Sequence, residues 1–360
     1  MKFSIATKAS YCIILSLLTW SHIHAQKLKV GVAGLSHDHA HGIMQQYKRG
    51  EVILLGIAEA NIQLRERYKK SYQLPDSLFF NDLPTMLQQI KPDAVLAYNA
   101  IADHLAVVEV CAPKRISVMV EKPLATTVKQ AQRMEALAKQ YNIHLLTNYE
   151  TTWYASNQQI YKMVKEQAIG DIRKMVVHDG HQGPKEIGCS ADFLEWLTDP
   201  VKNGGGALTD FGCYGANLMT WLMDGKMPIA VTAITRHIKP ELYPNVDDEA
   251  TILLEYENAT GIIEASWNWP FGIKDLEVYG KNGYLHALNG NTLQERKKDT
   301  YNNVEIAAPA FRDNLTYLGA VLRGEVKPEK DLSSLSNNLI VVKILQAASQ
   351  SAREGRRIEL

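Results

Sequence analysis

The stretch GVAGLSHDHAHG, residues 31–42, decides how the N-terminal half of this 360-residue chain is read. It follows the short apolar run KLKV and precedes a helical pattern, which is where a parallel strand hands over to a nucleotide-binding turn. Such a turn carries G-x-G-x-x-G, whose glycines allow a tight reversal and close backbone approach to a pyrophosphate. Here the matching positions read Gly34, Ser36 and His39. Gly31 and Gly42 lie outside the frame, and His37, Asp38, His39 and His41 fill the turn. His-x-His spacing with an aspartate suits zinc, yet it offers no closed tetrahedral set. At a strand-to-helix turn the same groups sit where backbone amides meet an anion. We therefore read a modified dinucleotide turn, with Gly34, Ser36, His37 and His39 as cofactor contacts and no metal.

On either side of the turn, strand and helix patterns alternate. KLKVGVAG, VILLGIAE (52–59), DAVLAYN (93–99), ISVMVEKP (116–123) and IHLLTNY (143–149) are short apolar runs suited to strands buried on both faces. Between them VKQAQRMEALAKQY (128–141) is the clearest helix, with Ala131, Met134, Leu137, Ala138 and Tyr141 on one face. The repetition predicts an α/β, Rossmann-type parallel sheet over residues 26–148. Glu59 ends the second strand, 25 residues after Gly34. A carboxylate there accepts hydrogen bonds from adenosine ribose hydroxyls and repels a 2′-phosphate, which favours NAD over NADP.

The pattern changes after residue 148. A helix is predicted near 156–168, a strand over IRKMVVHDGHQG (172–183) and a second helix near 210–223. AVTAITRHI (230–238), EATILLEYE (249–257), GIIEASWNW (261–269), DLEVYG (275–280) and YLHALNG (284–290) then predict a mostly antiparallel sheet with one face covered. The tail LSSLSNNLIVVKILQAASQSAREG predicts a helix that stops at Gly355. Residues 149–360 are thus expected to form an α+β substrate and oligomerisation domain whose last helices pack back on the first.

Residues 1–25 stand apart. Lys2 and Lys8 precede the ten-residue apolar run Tyr11–Trp20, and SHIHA ends in Ala25. Ten residues are too few to cross about 30 Å of hydrocarbon, so the segment reads as a cleaved secretory signal and the protein as periplasmic, with no membrane contact afterwards. Cys12 lacks a persuasive lipobox, and there is no twin-arginine pair. Cys111, Cys189 and Cys213 are too dispersed for a disulfide framework or a zinc knuckle. Acids and bases balance at 39 each with no long basic run, which argues against a nucleic-acid partner.

Two further motifs narrow the reading: VEKPL at 120–124 and GGGALTDFGCYGANL at 204–218. With Asn99, they make the chain from residue 27 onward resemble the Gfo/Idh/MocA oxidoreductases. That resemblance implies a Rossmann domain, a second domain whose open sheet joins subunits into a homo-oligomer, a nicotinamide cofactor and a sugar or polyol substrate. It places Asn99, Glu121 and Lys122 near the cofactor and Asp210 facing the substrate. Many members carry a histidine four residues after that aspartate; Tyr214 stands there, as in the glucose–fructose oxidoreductase branch.

Removing hydride from a carbinol carbon requires a base for the hydroxyl proton. Asp210 and Tyr214, four apart on a helix, share one face, and a nearby Lys122 ammonium is expected to favour the anionic form of either. Read without the resemblance, Asp210 would be a helix cap and Tyr214 a core aromatic. His178, Asp179 and His181 lie on a strand close to the cleft, with His178 and His181 as candidate sugar ligands. Tyr149 and Trp153, beside Asn148, Glu150 and Tyr154, offer aromatic faces to a sugar or pack between domains. Trp267 and Trp269 fall on one face of a strand and are read as packing or interface. An exported enzyme meets little free NAD, so a retained cofactor fits best. Alternatives are a redox-neutral glycosidase that oxidises, eliminates and re-reduces, and a non-catalytic sugar binder on the same fold.

Overall fold

The protein is described by a computed structural model covering residues 27–360; the predicted signal segment, residues 1–25 with Cys12, lies outside the described residues. Six strands make the first sheet: β1 (Lys29–Ala33), β2 (Ile53–Ala58), β3 (Phe79–Phe80), β4 (Ala94–Ala97), β5 (Ser117–Glu121) and β6 (Leu145–Asn148). They are parallel, in the order β3-β2-β1-β4-β5-β6. The order reverses between β1 and β4, so the turn after β1 opens on the crevice where such sheets bind ligands. Along β4, Ala94 and Leu96 enter the core on one face while Val95 and Ala97 enter the core on the other. Burial on both faces is why these strands read as unbroken apolar runs.

Five helices cover this sheet: α1 (Ala40–Lys48), α2 (Ile62–Tyr72), α3 (Leu83–Gln89), α4 (His104–Cys111) and α5 (Val128–Tyr141). In α5 the Thr127 side chain caps the first turn by accepting from the Gln130 amide, and Asn142 ends the helix in the left-handed conformation. Ala131, Met134, Leu137 and Ala138 are the residues it buries.

The second sheet holds β7 (Ile172–Gly180), β8 (Ala230–Arg236), β9 (Glu249–Glu255), β10 (Thr260–Ser266), β11 (Ile273–Gly280), β12 (Tyr284–Asn289), β13 (Thr292–Lys297), β14 (Thr300–Asn303) and β15 (Ile358–Glu359). Their order is β14-β13-β12-β11-β7-β10-β9-β8-β15, antiparallel except where β7 meets β10. Helices α6 (Ala155–Lys165), α7 (Ala191–Leu197), α8 (Ala207–Asp210) and α9 (Gly212–Leu222) precede or interrupt it. α10 (Asn314–Leu322) buries Leu315, Leu318 and Val321 in the core of the first domain. α11 (Leu335–Glu354) places Val342 in the first domain's core and Val341, Ile344 and Leu345 in the second's, then stops at Gly355.

The structure corrects several expectations. The single helix read near 210–223 is two, α8 and α9, parted at Phe211. The strand read over 261–269 ends at Ser266, so Trp267 and Trp269 do not alternate along it. The β13–β14 hairpin was not anticipated because its residues are polar and its turn uses left-handed Lys298 rather than a glycine signal. Cys111, Cys189 and Cys213 are free thiols. Among the described residues no helix is long and apolar enough to cross a membrane.

Gly34 shows why the one surviving fingerprint glycine is needed. Its φ is +80°, and a Cβ there would lie 2.7 Å from the Asn99 Cβ. Gly34→Ala combines a left-handed strain with that clash. It is expected to lower stability by about 1–3 kcal/mol, read from urea denaturation at constant m-value.

Candidate active site

The crevice is closed from above by the GGGALTD segment. Gly206 packs so tightly against the 247 backbone that a Cβ would sit 1.8 Å from the Asp247 carbonyl oxygen. The Asp247 carboxylate accepts from the Gly206 amide at 3.0 Å and the Leu208 amide at 2.7 Å, which fixes the start of α8. α8 thereby aims Asp210 at Lys122, which follows β5 in the other domain. The Lys122 Nζ binds the Asp210 carboxylate Oδ1 and, at 3.0 Å, its carbonyl oxygen. Oδ2 accepts from the Trp267 indole N–H at 3.1 Å. Lys122 and Asp210 are both 6% exposed.

Burial opposes both charges, yet each partner outweighs it: Asp210 is held below the usual carboxylate range and Lys122 above the usual ammonium range. Tyr214 behaves otherwise. Burial, then the carboxylate of Asp179, raise its phenol well above the ordinary value. Lys122 lies over the ring, 5.0 Å from its centroid. The expected anionic tyrosine is therefore corrected to a neutral phenol.

Residues outside the E-K-P and G-G-G-x-L-x-D motifs complete the wall. Lys274, on β11, places Nζ 4.5 Å from the Tyr214 ring centroid and ion-pairs with Glu150 at 2.5 Å. Asp179, directly across from Lys274 in the β7–β11 pairing, is 1% exposed. Burial raises its carboxyl to about 8, with Lys274 and Lys122 opposing and Asp210 and Glu150 adding. Trp267, read as packing, is a direct partner of Asp210. No local signal marks Lys274 or Trp267: the β7–β11 register delivers Lys274, and Trp267 arrives just past β10, its amide bonded to the Asp248 carbonyl. His181 sits edge-on to Phe211 at 4.9 Å, and burial lowers its pKa while Asp210 partly offsets this. Tyr149 is fully buried and meets Tyr214 edge-to-face at 5.5 Å, so it backs the site rather than lining it.

His178 does not join this group. Strand alternation puts Val177 and Asp179 on the helix-covered face and His178 on the open face, where its Nδ1 contacts Asp275 at 2.6 Å and His286 takes the other carboxylate oxygen at 3.1 Å. Its proposed sugar contact is corrected accordingly. Trp153 lines a separate polar groove with His39, Glu121, Asn148 and Glu150, its indole donating to Asn148 at 3.1 Å.

On the other side of the turn a cleft is lined by Gly34, Ser36, Glu59, Asn61, Asn99 and Trp196. Glu59 accepts from the Leu35 and Asn61 amides, both at 2.8 Å, and keeps further lone pairs on both oxygens for hydroxyl donors. The buried Asn99 Oδ1 has no protein partner. An acceptor pair at the end of β2, an unpartnered amide oxygen at the end of β4 and a glycine between them fit the adenosine half of NAD. His37 is withdrawn from the phosphate role expected of it: it is 1% exposed, packed against Phe193 and Trp196, and burial lowers its pKa well below the ordinary value, with His39 adding to this. His39 stays half-open and pairs with Glu121 at 2.9 Å, whose other oxygen accepts from Asn148 at 2.8 Å.

His37, His39 and Glu121 bring ligand-type atoms within 4.8 Å of one another. However, His37 Nδ1 accepts the His39 backbone N–H at 3.1 Å, so the neutral ring carries its proton on Nε2. Neither nitrogen offers a lone pair to a cation without breaking that arrangement.

The buried ion pair generates a stability prediction. Lys122→Ala leaves the Asp210 charge stranded and is expected to cost about 3–5 kcal/mol, whereas adding Asp210→Ala costs little more. Since Asp210 is depressed and Lys122 raised, the pair's contribution is complete between the unfolded values of about 4 and about 10.4, and is lost as pH falls through the folded aspartate value or rises through the folded lysine value. A denaturant double-mutant cycle at pH 7 measures it; additive losses would contradict the pairing.

Known proteins resemble this chain in both domains. Residues 28–149 match an oxidoreductase family with an NAD-binding Rossmann fold, and residues 157–286 match the GFO/IDH/MocA C-terminal domain. A trans-1,2-dihydrobenzene-1,2-diol dehydrogenase of Xenopus tropicalis is 23% identical over 207 residues, 56% of this chain and 57% of the relative. A D-xylose 1-dehydrogenase [NADP(+)] of Haloarcula marismortui is 26% identical over 164 residues, 46% of this chain and 44% of that one. The chain thus spans about half the length of these curated relatives. An aldose-aldose oxidoreductase from Caulobacter crescentus, solved with glycerol, superposes with a TM-score of 0.78 at 22% identity, covering 93% of this chain and all of that one, and shares the fold. With both domains matched, the chain belongs to the GFO/IDH/MocA family of oxidoreductases, and its first domain is an NAD-binding Rossmann domain.

Proposed function

We propose that this protein is an NAD-dependent oxidoreductase acting on a CH–OH group of a sugar, polyol or glycoside, with its cofactor retained through the cycle. The observation that carries the reading is the convergence of Lys122, Asp210 and Tyr214 from two domains at the end of β5, where open α/β sheets bind ligands. The names of the relatives support a hydroxyl-bearing substrate. Glu59 favours NAD over the NADP named for the xylose enzyme, because its carboxylate repels a 2′-phosphate.

In this reading Glu59 and Asn99 hold the adenosine side and the Gly34–Ser36 backbone faces the pyrophosphate. The bound nicotinamide supplies the hydride acceptor. Lys122, fixed by Asp210, presents its ammonium to the carbinol oxygen and stabilises the negative charge that develops there. Tyr214, neutral at rest, exchanges the hydroxyl proton. Lys274 and His181 complete a polar wall for the remaining hydroxyls. We further propose that the open sheet face, which exposes Ile234 and Tyr301, meets a second copy, and that the enzyme works in the periplasm.

Two outcomes test this. Glu59→Ala is expected to weaken NAD binding by about 1–3 kcal/mol in a calorimetric titration, the cost of an unmade buried hydrogen bond. Lys122→Ala and Tyr214→Phe are expected to lower turnover on the order of 10²–10⁴-fold while sugar binding is little changed. Full activity in the Lys122→Ala protein would remove the proposed site.

A further inference from the structure

Asp210 is poorly placed to receive a proton. One carboxylate oxygen is bound by the Lys122 ammonium and the other by the Trp267 indole, and both partners stabilise the anion. A second buried carboxyl has no such commitments and is near enough for its charge to act on Tyr214 and to feel that of Asp210. Asp179 lies at the end of β7, facing the covered side of the sheet, and its buried Oδ1 has no hydrogen-bond partner. It shares a small cavity with Thr151, Tyr154, Leu218 and Lys274, bordered by the bonded pair His178 and Asp275, and the Lys274 ammonium of that cavity lies 4.5 Å from the Tyr214 ring centroid. The Thr151 hydroxyl in that cavity is likewise unpartnered. A buried acid left without a partner is destabilising, so its retention at this place calls for a use.

We propose that Asp179 is the terminal acid–base group of the site, exchanging with Tyr214 the proton that the substrate hydroxyl loses or gains. The proposal rests on the oxidoreductase reading above. In the oxidative direction the substrate O–H bond breaks and its proton passes to the Tyr214 oxygen, while the Tyr214 proton passes to the Asp179 carboxylate. The carbon's C–H electron pair leaves with its hydrogen to the oxidised nicotinamide, and a carbonyl remains at Lys122. The reductive direction reverses each transfer and begins from protonated Asp179.

The surroundings set the pH range. Lys274 from β11 and Lys122 from the end of β5 favour the carboxylate. Asp210 from α8 and Glu150 from the interdomain segment disfavour it, and burial disfavours it most, placing the carboxyl at about 8. Tyr214 and Cys213 on α9, and Tyr154 before α6, feel the Asp179 charge and are neutral around pH 7. An acid near the working pH is suited to both directions of transfer.

The consequence for stability has a definite sign. Native protein keeps the Asp179 proton to about pH 8, whereas the unfolded chain releases it near ~3.9. Wild-type stability therefore falls as pH rises across that interval. Asp179→Asn lacks this dependence, so its melting temperature should gain on wild type steadily from pH 5 to pH 8. A gap that is flat with pH overturns the proposal. The kinetic arm uses D-glucose, D-xylose and myo-inositol to reduce NAD bound to the full-length protein. The wild-type rate should rise through an inflection near pH 8. In Asp179→Asn the rate should drop on the order of 10²–10⁴-fold, lose the inflection and leave KM unchanged. An inflection that persists in the variant overturns the proposal. If none of the three polyhydroxy compounds reduces wild-type NAD, the reading of function over that panel fails, and the pH dependence of the stability gap still decides the state of Asp179.

Discussion

The contact between Lys122 and Asp210 is the constraint on which the rest depends. Each belongs to a different domain and each is buried, so neither charge is tolerable alone. Joining them requires β5 to end where it does, Gly206 to pack against the Asp247 backbone, and α8 to start with Asp210 aimed at Lys122. The domain interface and the polar centre are thus one construction. The same contact leaves the Lys122 ammonium fixed over the Tyr214 ring, so a substrate oxygen entering beside it meets a charge already oriented.

Much of this was legible in the sequence because it is written in local patterns. Unbroken apolar runs between amphipathic helices demand a parallel sheet, and β1, β2, β4, β5 and β6 lie where those runs are. E-K-P and G-G-G-x-L-x-D mark tight backbone requirements, and the partners they nominate, Lys122 and Asp210, do touch. Glu59 is found at the end of β2, as the spacing from Gly34 demanded.

What was hidden depends on register and on partners distant in sequence. His178 and Asp179 are neighbours in the chain, yet the pleat sends one to the open face and the other into the cleft; which goes where follows only from the pairing with β10 and β11. Lys274 becomes a site residue through that pairing, and Trp267 through its place just past β10, with no motif around either. The turn histidines were misjudged for a related reason. His37 was assigned by its place after β1, but α7, which arrives from the second domain with Phe193 and Trp196, covers it. The open-face trio His178, Asp275 and His286 has a geometry that no sequence spacing announces.

The central claim is that the two domains close over a dinucleotide the protein keeps. Native mass spectrometry of protein purified without added cofactor tests it most directly. The account predicts a complex of one NAD per chain that resolves into bare polypeptide and free NAD on denaturation. A spectrum showing only the bare chain, or a chain carrying NADP, would contradict it.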